Sequence, residues 1–223
     1  MNESDVQTYN QVALGVNASI YAYYAGRIVD ATGVVQGRCL DVGCGGGYLG
    51  LALSELTELE FVFLDKSPEM LRCAAENIQS RGICSRCRTI QGEVQSIPLD
   101  DASVDLVVSR GSVPFWDNLP TAFNEIRRIL KPGGHAYIGG GLGPPELREA
   151  LQDAAMKQHP EWRQKSSSIP KHDNSHYREA LLGAGIERFT VTRSEVGMWI
   201  EFRGNEELSP ANAPTAAASA ITV

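Results

Sequence analysis

Two aspartates, Asp41 and Asp65, each end a short apolar run, and a glycine-dense loop follows the first of them. In Leu40-Asp-Val-Gly-Cys-Gly-Gly-Gly-Tyr-Leu-Gly50 the glycines Gly43, Gly45, Gly46 and Gly47 fall within five positions. Glycine adopts positive φ without penalty and lets backbone come close to a ligand. Gly45, Gly47 and Gly50 spell GxGxxG, the pattern of a dinucleotide site whose pyrophosphate rests on a helix N-terminus. Two features oppose that chemistry. The glycine frame starts three residues after Val42, later than the fingerprint requires. A carboxylate at the strand end also repels a pyrophosphate, whereas it suits a cation such as an ammonium or a sulfonium.

Other reactive side chains fit less well. His135 opens a strand, far from the carboxyl end where open parallel sheets bind ligands. His172 and His176 stand one helical turn apart without a third metal ligand in view, so a solvated helix face is the simpler reading. Cys84 and Cys87 form a single Cys-x-x-Cys without a second pair, which argues against zinc. Cys44 is explained by its small size within the glycine loop.

The elements that would position the loop can be read from periodicity. Residues 5–32 carry apolar side chains at helical spacing, broken near Gly15 and ended by Gly33. Strands are expected at 38–42, 60–64, 87–91, 104–109 and 135–139. Helices are expected at 46–56, from Pro68, at 121–130, at 145–158 and at 173–184. Strands 186–193 and 196–203 close the domain as a hairpin. Alternation of strand and helix predicts an α/β fold: a Rossmann-like, doubly wound, mostly parallel seven-stranded sheet with a C-terminal antiparallel hairpin. Residues 1–34 are expected as a helical lid and 35–204 as the ligand-binding core. The Ala-, Ser-, Pro- and Thr-rich stretch 205–223 is expected as a disordered tail.

Composition narrows the function class. The chain has 223 residues with 20 Lys plus Arg against 27 Asp plus Glu, a formal charge of -7. That balance argues against a nucleic-acid partner. No apolar run approaches the ~20 residues of a membrane span. The stretch MNESDVQTYNQ lacks the basic start and apolar core of a signal peptide. Five cysteines, odd in number and without a disulfide-framework spacing, point to a reducing cytoplasm.

The sequence resembles the class I S-adenosylmethionine-dependent methyltransferases over about residues 35–140. Asp41-Val-Gly-Cys-Gly-Gly-Gly47 looks like their first motif, and Phe61-Val-Phe-Leu-Asp65 with Lys66-Ser-Pro-Glu-Met70 like their second. Gln91-Gly-Glu-Val94, Asp105-Leu-Val-Val-Ser109 and Leu130-Lys-Pro-Gly-Gly134 match later segments in order. Ser109-Arg-Gly-Ser-Val113, Phe115-Trp116 and Tyr137-Ile-Gly-Gly-Gly141 are similar to one group of small bacterial and archaeal members.

The resemblance implies S-adenosylmethionine as cofactor. Gly43 and Gly45 would approach its methionine part, and Asp41 would complement its charge. Asp65 would accept both ribose hydroxyls, while Lys66 and Met70 would cover the adenosine. Glu93, where the family more often has Asp, would accept the adenine amino group above Val94. Ser109 would offer its carbonyl to the ligand ammonium. Arg110 would hold the cofactor carboxylate or an anionic substrate.

Ser109-Arg-Gly-Ser112 replaces the Asn/Asp-Pro-Pro-aromatic motif of amino-methyltransferases acting on nucleic-acid bases or protein glutamine, which argues against those substrates; with the ordered motifs and the acidic charge, the expected acceptor is a small molecule. Ser112, Phe115 and Trp116 are its candidate contacts, with Tyr9, Tyr21 and Tyr24 from the N-terminal helices and Trp199 from the last strand. Tyr24 is the preferred tyrosine, sharing a helix face with Ile20 and Ile28; core packing is its equal competitor. No catalytic residue is assigned, since the sulfonium already activates the methyl and a general base is needed only for a protonated acceptor. A nicotinamide-dependent oxidoreductase and a non-catalytic cofactor-binding protein are the competing classes. Nothing in the sequence sets the acceptor atom or the oligomeric state.

Overall fold

The computed structural model describes residues 3–15, 17–149 and 172–205. Two helices open the chain, α1 (Glu3–Leu14) and α2 (Ala18–Thr32), the latter ended by Gly33 at φ 67°. There follow β1 (Arg38–Val42), α3 (Tyr48–Ser54), β2 (Glu60–Asp65), α4 (Pro68–Ser80) and β3 (Cys87–Gln91). After these come β4 (Val104–Arg110), α5 (Leu119–Ile129) and β5 (Leu130–Gly140). The last elements are α6 (Asn174–Gly183), β6 (Phe189–Ser194) and β7 (Gly197–Arg203). Residues 145–149 are also helical. The remainder of the helix expected at 145–158, and the tail from 206, lie outside the described residues.

The seven strands form one sheet in the order β3-β2-β1-β4-β5-β7-β6. β3, β2, β1, β4 and β5 run parallel; β7 is antiparallel to both β5 and β6. Strand order reverses between β1 and β4, and such a reversal opens a crevice at the carboxyl ends of the strands.

Side chains alternate across the sheet and feed two apolar layers. Leu40, Val42, Val62, Leu64 and Val107 pack towards α5 and α6. Cys39, Phe61, Phe63, Leu106 and Val108 pack towards α2 and α3. Ile20, Tyr24, Ala25 and Ile28 of α2 are fully buried in that second layer, so α2 is a wall of the fold.

Helix starts follow their caps. The Ser67 hydroxyl accepts from Met70 N with Pro68 at the first turn, and the Asn118 and Asp173 side chains cap α5 and α6. β5 starts at Leu130 rather than His135, because Leu130 pairs with Val104 across a register shift. α3 is shorter than expected at both ends. Gly47, at φ 82°, caps its start, and Leu56 N bonds Leu53 O as the chain turns away.

Candidate functional site

A cleft of about 790 Å³ lies along the carboxyl ends of the parallel strands. It falls within the roughly 300–1,000 Å³ typical of small-molecule sites. One half is walled by Gly43 and Gly45 after β1, Asp65, Lys66 and Met70 after β2, and Glu93 and Val94 after β3. The other half is walled by Arg110 to Asp117 after β4, Gly139 to Leu142 at the end of β5, and His172, Tyr177, Arg193 and Met198.

Asp65 organises the first half. Its Oδ2 accepts from Gly45 N at 2.9 Å and its Oδ1 from Ser67 N at 2.9 Å. The carboxylate thereby ties the glycine loop to the start of α4. Each of its oxygens keeps a further acceptor site, as an ionised carboxylate has about four in all. Gly43 sits at φ +63° and Gly45 at φ +55°, a region that L side chains rarely adopt. A Cβ on Gly45 would meet nothing nearer than Tyr48 at 3.7 Å and Met70 at 3.9 Å, so the loop presents bare backbone. Gly92 N bonds Asp65 O at 3.1 Å, which carries Glu93 and buried Val94 to the rim of the same half.

Ser112 joins the halves. Its Oγ donates to Val42 O at 3.2 Å, lies 2.6 Å from Ser109 Oγ, and accepts from Trp116 Nε1 at 3.1 Å. One hydroxyl therefore pins the ends of β1 and β4 and the Trp116 ring. Phe115 beside it is 55% exposed, an apolar surface open to a ligand.

Several residues expected at the site are placed elsewhere. Asp41 is 2% exposed and does not line the cleft. It shares the α3 face of β1 with Cys39, and its Oδ2 accepts from Gly50 N at 3.0 Å, bracing the loop from behind. Ser109 is fully buried between β1 and β5.

Tyr24 is likewise core. Its hydroxyl donates to Val196 O and accepts from Gly143 N, and its ring packs on Trp199. Tyr21 is buried against Tyr48, with ring centres 5.3 Å apart. Trp199 is buried between Tyr24 and Tyr137. Strand alternation sends its neighbour Met198 into the cleft instead. Of the two N-terminal helices, α1 brings a side chain to the cleft, Tyr9.

Sequence reasoning missed Ser67, Met198, Tyr177, His172 and Arg193. Ser67 carried a capping signal that explained it without any site. The others come from the hairpin, from α6 and from the residues just before it, whose approach to the cleft depends on β7 inserting next to β5.

His135 borders a different groove, of about 1080 Å³, at the opposite end of the sheet. Burial and the nearby Arg203 charge lower its pKa. The His172 and His176 rings stack with centres 4.1 Å apart. Among the described residues no three potential metal-binding side chains cluster. Cys84 is exposed and Cys87 half-buried at the sheet edge, and all five cysteines are free.

Burial raises the Asp41 carboxyl to about 7, against the lowering effect of the Gly50 N–H and with a smaller push from the Asp65 charge. This value lies above the ~3.9 of an unfolded aspartate, so the folded chain holds the proton more tightly. Stability should therefore fall as pH rises from about 4 to 7 and level off above. Asp41→Asn keeps an acceptor for Gly50 N and removes the titration. In urea unfolding the wild type should lose about 2 kcal/mol relative to Asp41→Asn between pH 5 and pH 7.5. Parallel pH profiles for the two proteins would overturn this.

Several known proteins are similar to this chain. A family described as methyltransferase domain matches residues 40–138. The chain is 33% identical to a malonyl-[acyl-carrier protein] O-methyltransferase of Methylovorus sp., over 70% of this chain and 55% of that one. It is 30% identical to the protein of the same name from Dechloromonas aromatica, over 74% and 57% respectively. The chain thus spans a little over half the length of these curated relatives. A crystal structure from Methanococcus maripaludis, of a protein proposed to be an S-adenosyl-L-methionine-dependent methyltransferase, superposes with a TM-score of 0.84 at 33% identity. That match covers 92% of this chain and 94% of the other.

Proposed function

The chain belongs to the class I S-adenosylmethionine-dependent methyltransferase family, and from that premise we propose that it transfers a methyl group to a small-molecule acceptor held in the second half of the cleft. The observation that carries this reading is Asp65, bonded to Gly45 N and Ser67 N at the rim of bare glycine backbone. The carboxylate's remaining acceptor sites suit a vicinal diol, and Gly43 and Gly45 leave room for an amino-acid moiety. Met70 offers a polarizable thioether to a purine face, with Val94 at the same end and Glu93 and Lys66 at the rim. When bound, S-adenosylmethionine supplies a methyl already activated on a sulfonium for in-line displacement by the acceptor.

The chain's own task is to align and to exclude water. Ser112 fixes the junction of β1 and β4 where the two ligands would meet, and Trp116 with Phe115 walls the acceptor side. Tyr9, on α1, is placed to cover the opening. Asp41 acts through the loop, holding Gly50 and with it the start of α3. A nicotinamide-dependent oxidoreductase, the competing reading of Gly45, Gly47 and Gly50, is disfavoured by family membership. Five free cysteines support a reducing, cytoplasmic setting, and the acidic balance supports a small molecule rather than nucleic acid as acceptor. Among the described residues no helix is long and apolar enough to cross a membrane.

Isothermal titration with S-adenosylhomocysteine tests the cofactor half, and one-site binding is expected. Absence of binding by the intact protein would sink the reading. Tight binding without transfer of labelled methyl to any fraction of a metabolite extract would mark a non-catalytic cofactor-binding protein.

A further inference from the structure

One face of α1 carries Val6, Tyr9, Asn10 and Ala13, at the spacing of a helical stripe. Val6 packs on Met70 and Cys73 of α4 in a small cluster apart from the two main layers. The Tyr9 ring lies 5.9 Å from that of Tyr48. Asn10 meets Asn77 of α4 amide to amide. Asn77 Nδ2 donates to Asn10 Oδ1 at 2.9 Å, and Asn10 Nδ2 donates back to Asn77 Oδ1 at 3.4 Å. Asn77 Nδ2 also donates to Gly46 O at 2.9 Å. Both amide hydrogens and the carbonyl oxygen of Asn77 are thus engaged, which offsets the burial of a polar side chain that is only 5% exposed.

The partners of Val6, Tyr9 and Asn10 all belong to the cofactor half of the cleft. Met70 lines it, Tyr48 follows Gly47 at the end of the glycine loop, and Gly46 adjoins Gly45, whose N–H is held by Asp65. The loop is therefore gripped twice, by Asp65 at the cleft wall and by Asn77, which does not line the cleft. Ala13 joins the second apolar layer near the turn into α2, so the start of α1 is held by the other three. Asp5, Gln7, Gln11 and Leu14 on its other sides are exposed. At 12 residues α1 is also no longer than an isolated helix that is marginal in water. An element whose few contacts are shared with a ligand site is biased by the ligand, and biases it in return.

Resting on the methyltransferase reading above, we propose that docking of α1 and binding of the cofactor are one coupled event, and that Asn77 is the positioning residue that couples them by joining Asn10 of α1 to Gly46 of the glycine loop. A cofactor seated on the loop fixes Gly46 O, Gly46 O orients the Asn77 amide, and the oriented amide is the partner that Asn10 requires. In return α1 holds the loop in the shape the cofactor meets and keeps Tyr9 at the cleft. Buried amide networks suit this task because each bond depends on the orientation set by the others.

Cys73 reports the docked state, because it is buried against Val6 and does not itself line the cleft. The test is the rate of its alkylation by iodoacetamide in the full chain, read by mass spectrometry on the tryptic peptide 73–81. Fully buried Cys39 of β1 serves as the reporter of global unfolding, and exposed Cys84 as the control for the reagent. Saturating S-adenosylhomocysteine should slow alkylation of Cys73 by about tenfold, a usual size for coupling between sites, and leave Cys84 unchanged. Asn77→Leu, which keeps the volume and removes the bonds, should cut that protection to below about threefold. Asn10→Ala should speed alkylation of Cys73 in the free chain by roughly fivefold without changing Cys39, and it decides the matter if Asn77→Leu fails to fold. A Cys73 rate that ignores S-adenosylhomocysteine, Cys73 and Cys39 reacting at one rate, or an Asn77→Leu protein with the wild-type protection would overturn the proposal. So would an Asn10→Ala protein that reacts as the wild type does. Failure of the wild type to bind S-adenosylhomocysteine at all is a different result: it strikes the methyltransferase reading, and the coupling with it.

Discussion

Replacing Asp65 by alanine should raise the dissociation constant for S-adenosylhomocysteine by roughly 10²–10³-fold while leaving the chain folded. The size follows from counting bonds. A hydrogen bond to a charged group contributes about 1.5–3 kcal/mol, and the carboxylate is placed to accept two hydroxyls. At the solvent-open rim the lower part of that range applies, so its loss costs about 3–4 kcal/mol for the two together, and each ~1.4 kcal/mol is tenfold. Alanine also releases Gly45 N and Ser67 N, so the glycine loop loses its tie to α4. Asp65→Asn retains one carbonyl acceptor and should lose only about tenfold. Titration calorimetry on the three proteins separates these cases. Equal affinities would remove the ribose-binding role from Asp65 and with it the central support for the cofactor half.

The second large effect is expected at Gly43. An alanine Cβ there would stand 2.5 Å from Ser112 Cβ and 2.6 Å from its Oγ, while the backbone is at φ +63°. Left-handed backbone costs a non-glycine residue about 1–2 kcal/mol, and a forced overlap in packed surroundings costs about 1–3 kcal/mol more. Gly43→Ala should therefore destabilise by about 2–5 kcal/mol, from those two contributions. It should also weaken S-adenosylhomocysteine binding at least tenfold, because Ser112 pins β4 to Val42. The next Ser112 atom, Cα, is 4.0 Å from that Cβ. Ser112→Gly in the Gly43→Ala background should thus relieve the overlap and leave the backbone strain. Urea unfolding of the four proteins should give a favourable coupling of about 1–3 kcal/mol. Strict additivity would show that the contact between Gly43 and Ser112 carries no strain.

What could be read in advance was whatever depends on order along the chain. The strand ends at Asp41, Asp65 and Arg110, the glycines between, and the cap at Ser67 are local signals, and they placed the cleft. What could not be read was rotation about an element's own axis. Tyr9, Tyr21 and Tyr24 all lie on apolar stripes of the N-terminal helices, yet only Tyr9 reaches the cleft, because the sheet-facing side of α2 is fixed by its packing on α3. Asp41 carries the right charge at the right strand end, but pleating turns it towards Gly50. Trp199 missed the cleft by a single residue for the same reason, and Met198 stands there. The contribution of Arg193 and His172 was hidden more deeply. It exists because the hairpin inserts β7 between β5 and β6, a pairing that separates neighbours in sequence and joins distant ones.

The unequal settings of Trp116 and Trp199 have an optical consequence. Trp116 is a wall of the cleft with its indole N–H on Ser112, so its emission responds to the polarity of whatever lies beside it. Trp199 is sealed between two tyrosine rings, its indole N–H without a partner among the described residues, and it emits from surroundings away from the cleft wall. Of the three tryptophans, the two that are described therefore differ: the colour of Trp116 follows occupancy, and that of Trp199 follows the integrity of the core.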